Sequence, residues 1–418
     1  MAKLKPKTLN GRTLEGGGQL VRVAIALSAL TGQPVEIHDI RGNRPKGGLK
    51  ASHLASIQFL ARISGCTVQG AELGSSHLAF YPPPDRAGVP DAMPVEREYS
   101  IKLETPGSVF LVLQAVYPYL LHAGSVARVE GPIRLNLTGG TNASFSPSVD
   151  YIEQVLGPNL KRLGLPALEM NLHKRGWITG PRDLGTVSVL VHLASRSGSG
   201  AGFPPIDLNK HHRGKVTKID VTVLAPDTSI AVPRSDARTL PLRKFIEEET
   251  VHSLQQRISD LPSSLVQTLT TPVHIHTSEQ TYHHTHIYIL LVAHTSNGFR
   301  IGGDVLLGDI KTSRAKRKHT RNRNHNNHED EMIPRIHALV QKCIDDFYKQ
   351  LYDPSIDSQE ARHVPCVDEH MRDQLVIFEA LGDQTCDDNA QLQREDERYW
   401  SVHTQTAQWV CRQFMKGA

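Results

Sequence analysis

Neither sign of charge dominates this 418-residue chain: 47 Lys and Arg stand against 43 Asp and Glu, a formal net charge of +4. The excess sits in residues 311–328, KTSRAKRKHTRNRNHNNH, which hold seven basic residues and no acidic one. Without that segment the balance turns negative, so net charge carries no argument for nucleic-acid binding. Cysteine is scarce, with five scattered residues and no Cys-x-x-Cys pair. That excludes a disulfide framework and points to a reducing compartment, nuclear or cytoplasmic rather than secreted. The longest purely apolar run, residues 287–293, falls far short of the ~20 residues of a membrane helix, so no membrane partner is expected. The first seven residues carry no apolar segment of the kind that opens a secretory signal. A hydrophobic fraction of 39% supplies a sizeable core and excludes a wholly disordered chain.

What is present reads as α/β material. Helical spacing runs through 19–30, 53–63 and 149–163, each run followed by a glycine (Gly32, Gly65, Gly164) and a short β-like stretch. That is a weak internal repeat. Residues 196–209 are rich in Gly, Ser and Pro and read as a linker. Beyond them lies a smaller unit, with strands at 216–223, 273–276 and 284–293 and a helix near 242–261. Helical pattern resumes at 333–351 and 371–381, and the chain closes on residues 400–415. The expected division is 1–205, then a smaller α/β unit over 206–300, then 301–418, with a disordered basic loop at 311–330.

Several segments suit phosphate chemistry. Glu15-Gly16-Gly17-Gly18-Gln19 stands at a helix start, where glycines let backbone N–H groups approach an anion, and Glu15 suits a divalent cation. Arg22 follows one turn later. The loop IRGNRPKGGLKASH offers Arg41 and Arg44, whose forked guanidinium groups match phosphate. Thr138-Gly139-Gly140-Thr141-Asn142 reads as a polar turn. Of the group His274, His276, His283, His284 and His286, the first two alternate with Val273 and Ile275 and the last two with Thr285 and Ile287, which reads as the polar faces of two strands rather than a metal site. His403, in His403-Thr404-Gln405-Thr406 at the start of the last helix, is a competent nucleophile toward phosphorus when neutral.

Taken in order, EGGGQLVRVAIALSALTGQPVEIHDIRGNRPKGGLKASHL, AELGS, GSVFLVLQ (107–114), GGTN with Pro147 and Asp150, VDEHMRDQLVIFEAL and HTQT resemble the RNA 3′-terminal phosphate cyclases. The resemblance covers 14–83 and 105–151 and returns at 367–381 and 402–406. It implies an α/β (α+β) fold: a large domain of three repeated βα units like an initiation-factor C-terminal domain, with a smaller α/β domain inserted. It implies ATP-dependent conversion of an RNA 3′-phosphate end to a 2′,3′-cyclic phosphate, through a covalent histidine–AMP and an RNA adenylate, with Mg2+ or Mn2+ as cofactor. His403 matches the nucleophile and Glu15 the residue that meets the metal. Gln19, Arg22, Arg41, Arg44, Gln114, Asp373 and Gln374 match nucleotide or phosphate contacts, with Asp373 expected to orient the histidine ring. Pro147 packs on adenine, and His370 stands where the family has a stacking Tyr. The alternative the resemblance leaves open is the non-catalytic, cyclase-like ribosome biogenesis branch.

Overall fold

The computed structural model describes residues 4–83, 95–181, 183–193, 203–231, 239–268, 271–309, 327–354, 364–382 and 399–415. The first unit runs β1 (Lys7–Asn10), α1 (Gln19–Thr31), β2 (Val35–His38), α2 (Ala51–Ser64), β3 (Thr67–Gln69) and β4 (Leu78–Tyr81). Its sheet has the order β1-β2-β4-β3, with β1 and β2 parallel and the other pairs antiparallel. Gly32 and Gly65 end α1 and α2 at φ 70°, each donating its N–H back into the helix; that backbone region is open mainly to glycine.

A second unit repeats the plan: β5 (Glu98–Lys102), α3 (Val109–Val126), β6 (Ile133–Gly139), a helical stretch, β7 (Leu168–Lys174) and β8 (Gly185–Val191). The stretch is α4 (Val149–Tyr151), a π turn (Ile152–Leu156) and α5 (Gly157–Arg162). The sheet order β5-β6-β8-β7 has the same directions as in the first unit. The helix–Gly–strand repeat is therefore real, but its period differs from the reading. Gly32 and Gly65 belong to one unit, and Gly164, at φ 89°, is the counterpart of Gly65 in the next.

The third sheet comprises β9 (Val216–Pro226), β12 (Val273–Thr281), β13 (Tyr288–Thr295) and β14 (Arg300–Leu306), in the order β12-β9-β13-β14. A β10 (Ser229–Ala231) and β11 (Thr239–Pro241) ribbon and α6 (Leu242–Ile258) lie between β9 and β12 in the chain. Ile289 and Leu291 face one core with α6 and α7 (Asn327–Leu351), whereas Tyr288, Leu290 and Val292 face the core of the first two units. Burial on both faces explains why 287–293 reads as an unbroken apolar run. This second core includes Ile301, Val305 and the α7 residues Ile336 to Leu351. The smaller unit thus extends well past residue 300, where the sequence reading closed it.

Three further expectations meet the structure here. Most of the expected basic loop lies outside the described residues, but 327–330 open α7. Residues 282–286 form a turn, so His284 and His286 are not on a strand; His286 stacks on Trp177 with ring centroids 4.7 Å apart. And α3, at 18 residues, is long and apolar enough by composition to cross a membrane. It packs instead as a core helix against α1, α2 and β6, with Val112, Leu113, Val116 and Leu120 buried. Finally α8 (Glu369–Gly382) and α9 (Val402–Met415) pack on each other, and α9 lies along α1. The four described cysteines are buried and in no disulfide.

Candidate functional site

The first unit leaves the N-terminus of α1 without a side-chain cap: Gly18 is the N-cap residue and no side chain accepts from the first turn. The orphan N–H groups of a helix start, with the positive end of its dipole, are a ready anion site. The glycines are needed here for space. A Cβ on Gly17 would lie 1.9 Å from the Glu15 carboxylate, and one on Gly18 2.3 Å from His53 Nε2 and 2.7 Å from Arg22 Nη1. Functional side chains close over the glycine backbone, which is why side chains are missing there.

Gln19 and Arg22 occupy the first turn of α1, and Gln114 reaches them from α3. Arg22 donates to Gln114 Oε1 at 2.6 Å and to Gln19 Oε1 at 2.8 Å, and Gln114 Nε2 donates to the same Gln19 oxygen at 3.1 Å. With its oxygen doubly engaged, the Gln19 amide is fixed with Nε2 outward, and that buried Nε2 has no partner. An unmet buried donor costs ~1–3 kcal/mol, so Gln19 Nε2 has room for an acceptor from water or a ligand. Burial lowers the Arg22 pKa to about 10 against the pull of Asp373 and Glu15, so the guanidinium stays charged at neutral pH.

The arginine loop joins β2 to α2. Leu14, Asp39 and Arg41 all have φ between 52° and 55°, sterically costly for residues with a Cβ and a mark of local strain around the site. Arg44 pairs with Glu15 Oε1. Arg41, by contrast, turns onto its own loop: Nη1 donates to the carbonyls of Lys46 at 2.7 Å and Gly48 at 3.3 Å. Sequence reasoning missed His53, the third residue of α2. Its Nδ1 accepts the N–H of Lys50 at 3.1 Å, the place usually taken by Glu or Gln in a capping box. The proton therefore sits on Nε2, beside Gly18 and Arg22. Burial, with Arg22, Arg41 and Lys50 nearby, depresses its pKa to about 3. His53 is a neutral donor at any physiological pH. The one signal for it was its place three residues after a lysine that ends a glycine-rich loop.

The chain's far end completes the group. The Glu15 N–H donates to Thr406 Oγ1 at 3.3 Å across 391 residues of sequence. His403 Nδ1 lies 3.5 Å from Glu15 Oε2, itself buried without a hydrogen-bond partner. The ring was expected to be oriented by Asp373; the carboxylate at its Nδ1 is instead that of Glu15. Asp373 accepts from its neighbour Gln374 at 2.5 Å. Burial pushes its carboxyl up to about 6, resisted by His403, His370, Gln374 and Arg22, so it belongs to the same electrostatic cluster. His370 and Pro147 sit at the margin. The His370 ring packs edge-on to Tyr151 at 6.4 Å, on the helical stretch that Pro147 precedes. Tyr151 in turn donates to Asp368, which caps α8 through the His370 and Met371 N–H groups. Thr138 and Gly139, expected in a turn, are the last residues of β6; Thr141 just beyond them is structural, its Oγ1 accepting from the Gly176 N–H at 3.0 Å and fully buried.

Arg22 and Arg44, a neutral histidine N–H, an unmet amide N–H and an uncapped helix gather around one carboxylate and one half-exposed imidazole, with Arg41 on the loop beside them. The chain is an α/β protein of repeated units with an anion-suited cluster of side chains at one helix start. A family model for RNA 3′-terminal phosphate cyclase matches residues 13–417, and the chain belongs to that family. It is similar to the RNA 3′-terminal phosphate cyclase of Caldivirga maquilingensis, 40% identical over 189 residues, covering 45% of this chain and 49% of the relative. To that of Desulfurococcus amylolyticus it is 39% identical over 183 residues, covering 44% and 46%. The chain thus spans about half the length of the curated relatives it matches.

Proposed function

We propose that this protein uses ATP to convert an RNA 3′-terminal phosphate to a 2′,3′-cyclic phosphate. The observation that carries the reading is His403 Nδ1 facing the Glu15 carboxylate above the Gln19–Arg22–Gln114 triangle. A carboxylate at Nδ1 favours the tautomer with its proton there, which leaves the Nε2 lone pair for attack. Nε2 attacks the α-phosphorus, pyrophosphate leaves, and the Glu15 carboxylate stabilises the positive ring as the P–N bond forms. The AMP then passes to an oxygen of the RNA 3′-phosphate, restoring the imidazole. Attack by the vicinal 2′-OH closes the ring and expels AMP. The monoester dianion has no good leaving group of its own, and adenylation supplies one.

Arg22, the Gln19 amide and the α1 N–H groups are placed to offset charge on phosphoryl oxygens. Arg44 has a choice of anions: a bound phosphate draws it off Glu15 Oε1. The donor set then fits Mg2+ or Mn2+, since such ions are held by one or two carboxylates together with substrate phosphates: Glu15 Oε1, given up by Arg44, would hold the cation while Oε2 stays with the His403 ring. The cation would supply further neutralisation of the phosphates. Incubation with ATP labelled at the α-phosphate is the test. A label that survives denaturation and base, is lost in acid and maps to His403 supports the reading. A folded chain that takes no label favours the non-catalytic branch.

A further inference from the structure

Glu36, His38 and His77 are the one set among the described residues whose His and carboxylate ligand atoms all lie within 4.8 Å of one another. The fold puts them together. Glu36 and His38 are two apart on β2 and so share a face. His77 immediately precedes β4, just beyond the registered pair Ile37–Leu78. The two imidazoles meet with centroids 4.7 Å apart, and Glu36 Oε2 lies 4.0 Å from His38 Nε2. Tyr81, diagonally placed on β4, donates its hydroxyl to Glu36 Oε1 at 2.5 Å. That bond holds the carboxylate so that its other oxygen faces the histidines.

We infer that these residues form a surface site for a borderline d-block dication such as Zn2+. Two imidazoles and a carboxylate suit Zn2+, Co2+, Ni2+ or Cu2+, whereas Mg2+ and Ca2+ prefer oxygen alone. Tetrahedral Zn2+ with bonds near 2.0–2.1 Å needs ligand atoms about 3.3 Å apart. Small rotamer changes in half-exposed side chains close the observed spacing. Water takes the fourth position, because the His38 side chain is 47% exposed. Tyr81 is the outer hydrogen-bond partner that such carboxylate ligands usually carry.

The site is distinct from Glu15, yet it stands at the foot of the arginine loop. Ile40 and Leu49, at the two ends of that loop, donate to the carbonyls of Ser76 and Ser75, directly before His77. An ion bridging His38 and His77 therefore ties the end of β2 to the start of β4 where the loop departs.

The test uses the full chain without a purification tag, stripped of metal by a chelator and titrated with Co2+ and then Zn2+. The inference expects the visible absorption band of four-coordinate Co2+, displaced by one equivalent of Zn2+. It expects the band to be lost in His38→Gln and in His77→Gln and kept in Glu15→Gln. Tyr81→Phe should weaken Zn2+ binding by about 10–100-fold, and Zn2+ should raise the melting temperature of the parent chain but not of the two histidine variants. No tight equivalent, a band that persists in both histidine variants, or a band that follows His283→Gln instead would overturn the assignment.

Discussion

The first two units share one topology and differ at the same two places. At the start of the second unit's first helix, Ser108 caps α3, its Oγ accepting from the N–H groups of Phe110 and Leu111; at the start of the first unit's, Gly18 leaves α1 uncapped. After the second parallel strand, the second unit makes a buried turn around Thr141, whereas the first makes a loop of exposed cations. Left-handed non-glycine residues stand in both segments, Asp39 and Arg41 in the first and Phe145 in the second, so backbone strain does not separate them. The cap does: a serine cap is worth ~1 kcal/mol, which the second unit keeps and the first forgoes. On the proposed function, the difference falls where a phosphate, rather than the chain itself, would satisfy the backbone.

The largest expected effect concerns the residue that joins the uncapped helix from the far end of the chain. His403→Ala should abolish the covalent ATP-derived label while leaving the melting temperature nearly unchanged, since the ring is half exposed. His370→Ala should retain the label. Mapping the adduct by mass spectrometry separates them, and AMP on His370 or on a lysine would sink the assignment. Next comes Gly18→Ala. Gly18 has φ −82°, so alanine meets no backbone strain and its harm is purely the collision with His53 and Arg22. Labelling should fall by about 100-fold or more, as for a misplacement on the ångström scale, with a stability loss of ~1–3 kcal/mol from overpacking. Gly18→Ala with full activity would break the comparison outright.

Charge at the site gives a prediction in pH. The native Asp373 pKa is raised to about 6, so between about pH 4 and 6 the folded chain holds a proton that the unfolded chain releases. This group's contribution to stability therefore declines as pH rises through that window. Asp373→Asn should remove that part of the slope and raise stability above pH 6 by ~1–3 kcal/mol. Thermal melts across pH 4–8 check the sign; a variant less stable than the parent at pH 7.5 contradicts it. His53 acts oppositely. With its pKa depressed to about 3, stability falls as pH drops from about 6.5 toward 3. Somewhat smaller is Arg41→Ala. Because Arg41 holds two carbonyls of its loop, the change should cost ~1–2 kcal/mol, more than the ~0.5 kcal/mol of an ordinary surface site, and slow labelling as well.

Legibility in the sequence followed the same divide. Helix α2 showed because it is buried on one face, and α1, buried all along from Gln19 to Leu30, because Leu20, Val23, Leu27 and Leu30 keep helical spacing; a glycine ends each. Helix α3 did not show as a helix, because it is apolar nearly all round and has no polar face to set a period. The extent of the second core was hidden for another reason: α7 has a clear apolar face, but nothing local says which sheet it covers. At the site, the order of glycine and arginine motifs pointed to phosphate chemistry. The contact between Glu15 and His403 is made by packing α9 along α1, which no spacing encodes. His53 was hidden because its role depends on which ring nitrogen its own helix start engages.

The smallest effect tests the comparison from its quiet side. Ser108→Ala removes a cap from a helix whose N-terminus serves no ligand. The Phe110 and Leu111 N–H groups lose their acceptor in a site where Ser108 is buried, so the cost should be ~1 kcal/mol. Ligand labelling should be untouched, because Gln114 lies six residues beyond Ser108, more than one turn into α3, and is held by Arg22 and Gln19. The informative partner is Gly18→Ser. A serine there meets no φ penalty, but it caps α1 as Ser108 caps α3 only if ψ moves from −18° to the extended range near 124°, and it brings the Cβ that His53 and Arg22 exclude. Gly18→Ser should therefore lose stability as Gly18→Ala does, and labelling with it. A Gly18→Ser chain that gains about what Ser108→Ala loses and labels fully would overturn the comparison.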